Sequence, residues 1–213
     1  MLDLPSAQFV STVEAPTLPL QEQGYWFLFL GDKLLVRSGP YMGEVPQARN
    51  GQELNIEPIR TQYMGYLTDE HGSTVHCFSG DVGAEQPIPP GMTTQGLREL
   101  SHQIGDVLFG LAGRAVQIVN WDRTHQYCGQ CGTPSEALSF ERAKQCPNCK
   151  LINYPRLSPA IIIAVTRRID DENRILLARN HRFPEGRYSV VAGFVEPGES
   201  LEETAHREVL EEV

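Results

Sequence analysis

Two apolar runs, YWFLFL at residues 25–30 and KLLV at 33–36, flank the turn pair Gly31-Asp32. Apolar stretches of that length joined by two turn residues predict a β-hairpin. A second hairpin is predicted from Gln62–Leu67 and Thr74–Phe78, turning through Asp69-Glu70-His71-Gly72. Residues 1–24, with Pro5, Pro16 and Pro19, read as a loosely structured lead-in. Residues 80–91 hold three prolines and three glycines and read as a linker or long loop. From Leu97 to about Val119 the apolar positions are Leu97, Leu100, Ile104, Val107, Leu108, Leu111, Ala115 and Ile118. Steps of three and four predict one amphipathic helix, with Gly105, Gly110 and Gly113 as sites of bending or tight packing.

The segment His125–Asn153 is turn-rich and short of large apolar residues, so it needs a staple other than a hydrophobic core. From Pro159 onward the pattern is mixed α/β. AIIIAV (160–165) predicts a buried strand, Asp170–Asn173 a turn and RILLA (174–178) a second strand. RYSVVAGF (187–194) predicts a third, running into a loop at Gly193 and then a helix crowded with carboxylates. No internal repeat or low-complexity tract interrupts this order.

The chain has 213 residues, room for a good core and for two compact units. At 40% hydrophobic and 21% charged it has the make-up of a soluble globular protein. Its net charge of −9 argues against broad attraction to nucleic acid or anionic membranes. No apolar run approaches the roughly 18 residues of a membrane span. The N-terminus lacks a basic head and an apolar signal core, so the cytoplasm is the expected compartment.

Four of the five cysteines fall into two knuckles, Cys128-Gly-Gln-Cys131 and Cys146-Pro-Asn-Cys149, fourteen residues apart. Four thiolates so spaced complete a closed tetrahedral Zn2+ site, and Gly129, Gly132 and Pro147 supply the turns. A site with four cysteine ligands leaves no position for substrate, so this zinc is expected to fold the segment. Between Trp121 and Leu157 the basic residues are Arg123, Arg142, Lys144, Lys150 and Arg156, and the acidic ones Asp122, Glu136 and Glu141. Five minus three leaves +2, too little to indicate a nucleic-acid surface. Cys77, in a predicted strand, reads as a small buried hydrophobe.

The last twenty-one residues read GFVEPGESLEETAHREVLEEV. At 3.6 residues per turn Glu208 and Glu212 share a helix face, with Glu211 alongside. Carboxylates so placed repel one another unless a cation sits among them, and their hard oxygens suit Mg2+ or Mn2+. Arg207 keeps its charge and is positioned to bridge back to Glu199. A solvated acidic face is the plain alternative. Against it, Gly193, Glu199, Arg207-Glu208 and Glu211-Glu212 match in register the NUDIX box, G-x5-E-x7-R-E-U-x-E-E-x-G-U with U aliphatic, as far as Val213.

A β-rich N-terminal part, a CxxC…CxxC ribbon and this box, in that order, resemble the NADH pyrophosphatase family of NUDIX hydrolases. The resemblance is firmest in FGLAGRAVQ, YCGQCG, NYPRLSPAIIIAV and SVVAGFVEPGES. It implies an α+β chain: a β-rich N-terminal domain over 1–121 ending in a helix, a four-cysteine zinc ribbon over 122–154, and a NUDIX α/β/α sandwich, incomplete, over 155–213. It implies hydrolysis of the diphosphate of NADH or NAD+ to nicotinamide mononucleotide and AMP, and in some members removal of NAD caps from RNA. Carried onto this sequence, Glu208, Glu211, Glu212 and the Ala192 carbonyl would bind the divalent ions, and Glu212 would deprotonate the attacking water. Phe194 resembles the aromatic that stacks on nicotinamide, and Tyr154 a substrate contact across a homodimer interface. Arg98 matches a substrate-binding arginine only through a one-residue gap, and otherwise reads as an exposed helix residue. Phe194 and Tyr154 have packing in a core as their plain alternative.

Family members continue beyond the box, with a proline- and aromatic-rich substrate motif, a further metal-binding glutamate and the last strands. None is found here, so the chain reads as a fragment with little activity of its own. The rival function is a binding module, in which the ribbon and N-terminal part contact RNA or a protein beside an inert NUDIX remnant.

Overall fold

The structure, a computed structural model, describes residues 4–38 and 43–213. The first three residues of the expected lead-in lie outside the described residues. The chain forms two compact units, Met1–Pro155 and Arg156–Val213.

In the first unit the apolar run becomes strand β2 (Gly24–Leu30), behind β1 (Gln8–Ser11) in the chain. Tyr25, Phe27 and Phe29 pack into one core with Leu34, Met64, Leu111 and Ala115. The alternate Trp26 and Leu28 enter a second core with Leu35, Ile56 and Phe78. A strand covered on both faces has no position for a polar side chain, which is why this run is continuous rather than alternating. Strand β3 (Lys33–Arg37) returns antiparallel through Gly31-Asp32, with Phe29 opposite Leu34, as predicted. Next come β4 (Gln47–Ala48), β5 (Arg60–Thr68) and β6 (Thr74–Asp81), the last two forming the second predicted hairpin. The Asp69 carboxylate holds its turn, accepting from the His71 and Ser73 N–H groups at 3.0 and 2.9 Å. With β7 (Met92–Gly96) the sheet has seven strands, ordered β1-β5-β6-β2-β3-β7, and β4 lies beside β2.

Several expectations for this unit are corrected. The lead-in is partly ordered: β1 pairs with β5 and Leu20 is buried, so its apolar residues find partners despite the prolines. The long loop begins only after Asp81, and Val82 is buried with its N–H donating to the Phe29 carbonyl at 2.8 Å. Strand β7 had no alternating apolar signal to reveal it. The single helix is two, α1 (Leu97–Leu100) and α2 (Asp106–Thr124). They part at Gly105, whose φ of +71° suits glycine alone. Gly110 and Gly113 stay inside α2, where Leu108, Leu111, Ala115 and Ile118 are buried.

The ribbon, also in this unit, carries β8 (Glu136–Ala137), β9 (Lys144–Gln145) and β10 (Ile152–Asn153) as a small antiparallel sheet. Cys77 is fully buried, and burial pushes its thiol up to about 12, as a small hydrophobe requires.

In the second unit β11 (Ala160–Ile163) precedes the hairpin of β12 (Thr166–Ile169) and β13 (Glu172–Ile175). Asp170 and Asp171 turn it with positive φ at both positions. Strand β14 (Val191–Phe194) pairs antiparallel with β11, and α3 (Leu201–Glu212) packs on both. AIIIAV is therefore not the buried strand expected: it ends at Ile163, and Ile162 is 73% exposed. The helix covers one face of a two-stranded sheet, and the other face is open. RILLA likewise contributes only its first two residues to β13, leaving Leu176 and Leu177 exposed. Among the described residues no helix is long and apolar enough to cross a membrane.

Candidate active site and zinc centre

Helix α3 starts at a capping box. Ser200 Oγ accepts from the Glu203 N–H at 3.2 Å, and the Glu203 carboxylate accepts from the Ser200 N–H at 2.8 Å. Glu202 and Glu203 in the first turn also suit the positive end of the helix dipole. Its other end breaks that rule: Glu211 and Glu212 sit in the last turn, which has no basic residue. Carboxylates at the negative end of a dipole are unfavourable until a cation offsets them.

The closest approach in the unit is at Gly193. A side chain there would collide with the Glu208 carboxylate. Glycine thus lets that carboxylate lie against β14, one peptide from the Ala192 carbonyl. Glu208 is buried, with Arg207 as its partner.

Arg207 organises the rest. Its Nε and Nη2 donate to the two Glu199 oxygens at 2.7 and 3.0 Å. Nη1 reaches Glu208 at 2.8 Å and Glu211 at 3.3 Å, and Nη2 donates also to the Phe194 carbonyl at 3.0 Å. One guanidinium thereby joins the loop, β14 and two turns of α3. Its own pKa is raised by Glu199 first and Glu208 next. The Arg207 hydrogen bonds, then the Glu196 N–H, hold the Glu199 carboxyl down at about 2.

The predicted bridge from Arg207 to Glu199 is therefore present, and Glu208 and Glu211 gather on the same guanidinium. Glu212 is exposed one turn beyond Glu208. The three α3 carboxylates do not converge: among the described residues the only set of three or more metal-capable side chains within 4.8 Å is the four cysteines. Their hard oxygens nevertheless fit Mg2+ or Mn2+ by donor chemistry. Phe194 is 67% exposed at a cleft of about 590 Å³, which Leu157, Pro159, Pro197 and Glu199 also line. Among the described residues it packs into no core. Tyr154 and Arg98 belong to the first unit and are exposed; Tyr154 Oη donates to Glu141 at 3.0 Å, which raises its pKa. Sequence reasoning missed Thr204, fully buried, whose Oγ1 donates to Glu199 at 2.9 Å. Its position four residues after the Ser200 cap was the available signal.

The four sulfurs of Cys128, Cys131, Cys146 and Cys149 lie within 4.8 Å of one another, with neighbours at 3.4 to 3.6 Å. That is too long for a disulfide and close to the ~3.8 Å expected between tetrahedral ligands ~2.3 Å from zinc. The knuckles repeat one construction. Gly132 and Lys150 N–H groups donate to the Cys128 and Cys146 carbonyls at 2.9 and 3.0 Å. Cys128 and Cys146 N–H groups donate to the Thr133 and Leu151 carbonyls at 2.8 and 2.9 Å. Hydrogen bonding to Thr133 draws the Cys131 thiol down to about 6. Cys149 goes the other way, to about 12: the Leu151 N–H favours its thiolate, but the surrounding sulfurs outweigh it. Four thiolates in one place need a divalent cation, which is what this donor set accepts.

Three of the five basic residues counted around the ribbon turn inward. Lys144, buried, pairs with Asp122 at 2.8 Å, and Arg123 pairs with Asp81 at 2.8 Å. Arg60 joins the same group, pairing with Asp81 and with Asp122. Arg142 donates to the Thr12 and Met64 carbonyls, both at 3.3 Å. These charges are not available as a nucleic-acid surface.

Three family profiles match in succession: the NADH pyrophosphatase-like rudimentary NUDIX domain over residues 23–121, the NADH pyrophosphatase zinc ribbon domain over 123–154, and the NUDIX domain over 158–213. The chain is 47% identical over 207 residues to a protein of Deinococcus radiodurans named NAD-capped RNA hydrolase NudC, covering 97% of this chain and 68% of that one. A protein of the same name from Stutzerimonas stutzeri is 49% identical over 162 residues, covering 76% and 55%. One from Pseudomonas syringae pv. tomato is 47% identical over 152 residues, covering 69% and 52%. The chain thus spans between about half and two thirds of the length of these relatives.

Proposed function

This chain belongs to the NADH pyrophosphatase family of NUDIX proteins, and from that premise we propose that it takes part in hydrolysing the diphosphate of NADH or NAD+ to nicotinamide mononucleotide and AMP. The NAD cap of RNA is the same chemistry on a larger substrate, and the names of the relatives support it. The observation that carries the reading is the Glu208 carboxylate against Gly193, beside Arg207 and Glu199. A solvated acidic face has no need to bury a glutamate under a glycine.

Glu208, Glu211, Glu212 and the Ala192 carbonyl would hold Mg2+ or Mn2+. Divalent ions held there would neutralise diphosphate charge and acidify a bound water. Glu212, which is exposed, would take the proton of the attacking water. Arg207 orients Glu208 and, through Glu199, the loop before α3. Phe194 offers a flat face to nicotinamide at the cleft. We further propose roles for Tyr154 and Arg98 in substrate binding, the former across a homodimer interface. A reducing compartment such as the cytoplasm would suit the free cysteines.

The test is product analysis after NADH and Mn2+ are added to the chain, beside Glu208→Gln and Glu212→Gln. Reduced nicotinamide mononucleotide and AMP are expected from the parent, with a loss of about 100-fold or more in each variant. Cleavage that persists in both variants would overturn the assignment of the carboxylates. Absence of these products from the parent, even with saturating Mn2+, would overturn the activity proposed for these residues.

A further inference from the structure

The first unit contains a small cavity of about 110 Å³, lined by Gln62, Tyr63, Trp121, Ser139, Glu141 and Arg142 among others. It is larger than the roughly 30 Å³ that one water occupies in the liquid. Two of its lining residues carry buried donors with no partner among the described residues. Trp121 is 5% exposed, yet its indole Nε1 finds no acceptor. Arg142 Nη1 is buried and equally unpartnered. Buried indole N–H groups ordinarily find an acceptor, and an orphaned pair of donors on one cavity points to an occupant.

Charge sharpens the argument. Arg142 satisfies Nη2 on the Thr12 and Met64 carbonyls, but among the described residues it pairs with no carboxylate. Its neighbour Glu141 accepts instead from Tyr154 Oη at 3.0 Å. Burial, and then the nearby positive charge of Arg114, both act against the Arg142 cation. A half-buried guanidinium without an anion among the described residues is a costly arrangement unless an anion completes it. Planar guanidinium edges match oxyanions in particular.

We propose that this cavity is a binding site for a small oxyanion of the phosphate class, held by the Arg142 guanidinium and the Trp121 indole N–H. The volume admits inorganic phosphate or one terminal phosphate group, but not a whole nucleotide. The site shares no residue with the carboxylates of α3 or with the zinc ligands, so its test is separate from that of the proposed hydrolysis.

The chain has two tryptophans, which supplies its own control. Trp26 Nε1 already donates to the Ala48 carbonyl at 3.0 Å and should ignore the anion. The experiment is a titration of the isotope-labelled, zinc-loaded full chain with inorganic phosphate, following both indole N–H resonances, with sodium chloride at matched ionic strength as reference. A saturable shift of Trp121 alone, weakened at least tenfold in Arg142→Gln, is expected. A parallel titration with AMP separates the sources: a response to both ligands means that a terminal phosphate enters, and a response to phosphate alone means a free ion. The proposal is overturned if Trp121 stays unmoved in tens of millimolar phosphate, as it would around ordered water. Equal shifts in chloride, or an undiminished response in Arg142→Gln, would also overturn it. Should that variant lose its native Trp26 resonance, the parent titration decides alone.

Discussion

Gly193 shows how much of the site hangs on an absent side chain. Gly193→Ala should push the Glu208 carboxylate off β14, and a displacement of about 1 Å at a reacting centre can cost on the order of 100-fold in rate. The check is the kcat of the variant beside its circular dichroism: full activity with an unchanged spectrum would refute the steric argument. Glu199 provides a pH test. Its carboxyl titrates at about 2, below the ~4.3 of a free glutamate, so its contribution to folding is present above the free value. That contribution fades as pH falls through about 2, and Glu199→Gln should remove it at every pH. A carboxyl resonance of Glu199 with a midpoint near 4 would contradict the Arg207 clamp. The grouping of Glu199, Arg207, Glu208 and Glu211 was legible in the sequence because their spacing matches the NUDIX box, with helix periodicity accounting for Arg207 beside Glu211. The collision of Gly193 with Glu208 was not, since it depends on how closely α3 approaches β14. Nor was the inward turn of Arg142 and Lys144, which a charge count around the ribbon treats as surface.

Among elements, α3 holds the clearest internal conflict, with a capped and acidic start and an equally acidic end. Mn2+ or Mg2+ should therefore add helix signal and slow amide exchange in its last turn, and Glu211→Lys should reproduce part of that gain without metal. If divalent ions leave exchange at 208–212 unchanged, the donor reading of that turn fails. The knuckles carry a smaller asymmetry: where the first has Gly132 at φ +73°, the second has Lys150 at +65°. Lys150→Gly relieves roughly 1 kcal/mol of left-handed strain, against a similar entropic cost of glycine in the unfolded chain. The net change should be under about 1 kcal/mol, read as a shift in zinc-loaded melting temperature. A large loss would mean that the Lys150 ammonium, 2.8 Å from the Pro147 carbonyl, contributes more than its geometry suggests. The hairpins of the first unit could be read from apolar runs and turn pairs because local signals specify them. Strands β1 and β7 could not, because their partners lie far away in the chain and supply the apolar contacts that the segments lack.

For the whole molecule, the order of parts was legible because each has a different stabilising principle: a two-sided sheet core, four thiolates, and a capped helix on a strand pair. The boundary between α1 and α2 was hidden by apolar steps that continue smoothly across Gly105. The ribbon's dependence on metal is the prediction at this scale. Removing zinc with a chelator should open residues 126–153 to proteases, and the first cuts should fall there. An unchanged cleavage map after verified loss of zinc would show that the segment stands without it. The Lys144–Asp122 pair gives that loss a further meaning. When β9 loosens, the buried Asp122 carboxylate keeps Arg60 but loses one of its two cations, and the Trp121 surface beside it is bared, changes that a cell's quality-control machinery treats as damage. The ribbon would then serve as a freshness seal: a copy that never received its metal, or lost it to oxidation, marks itself for disposal.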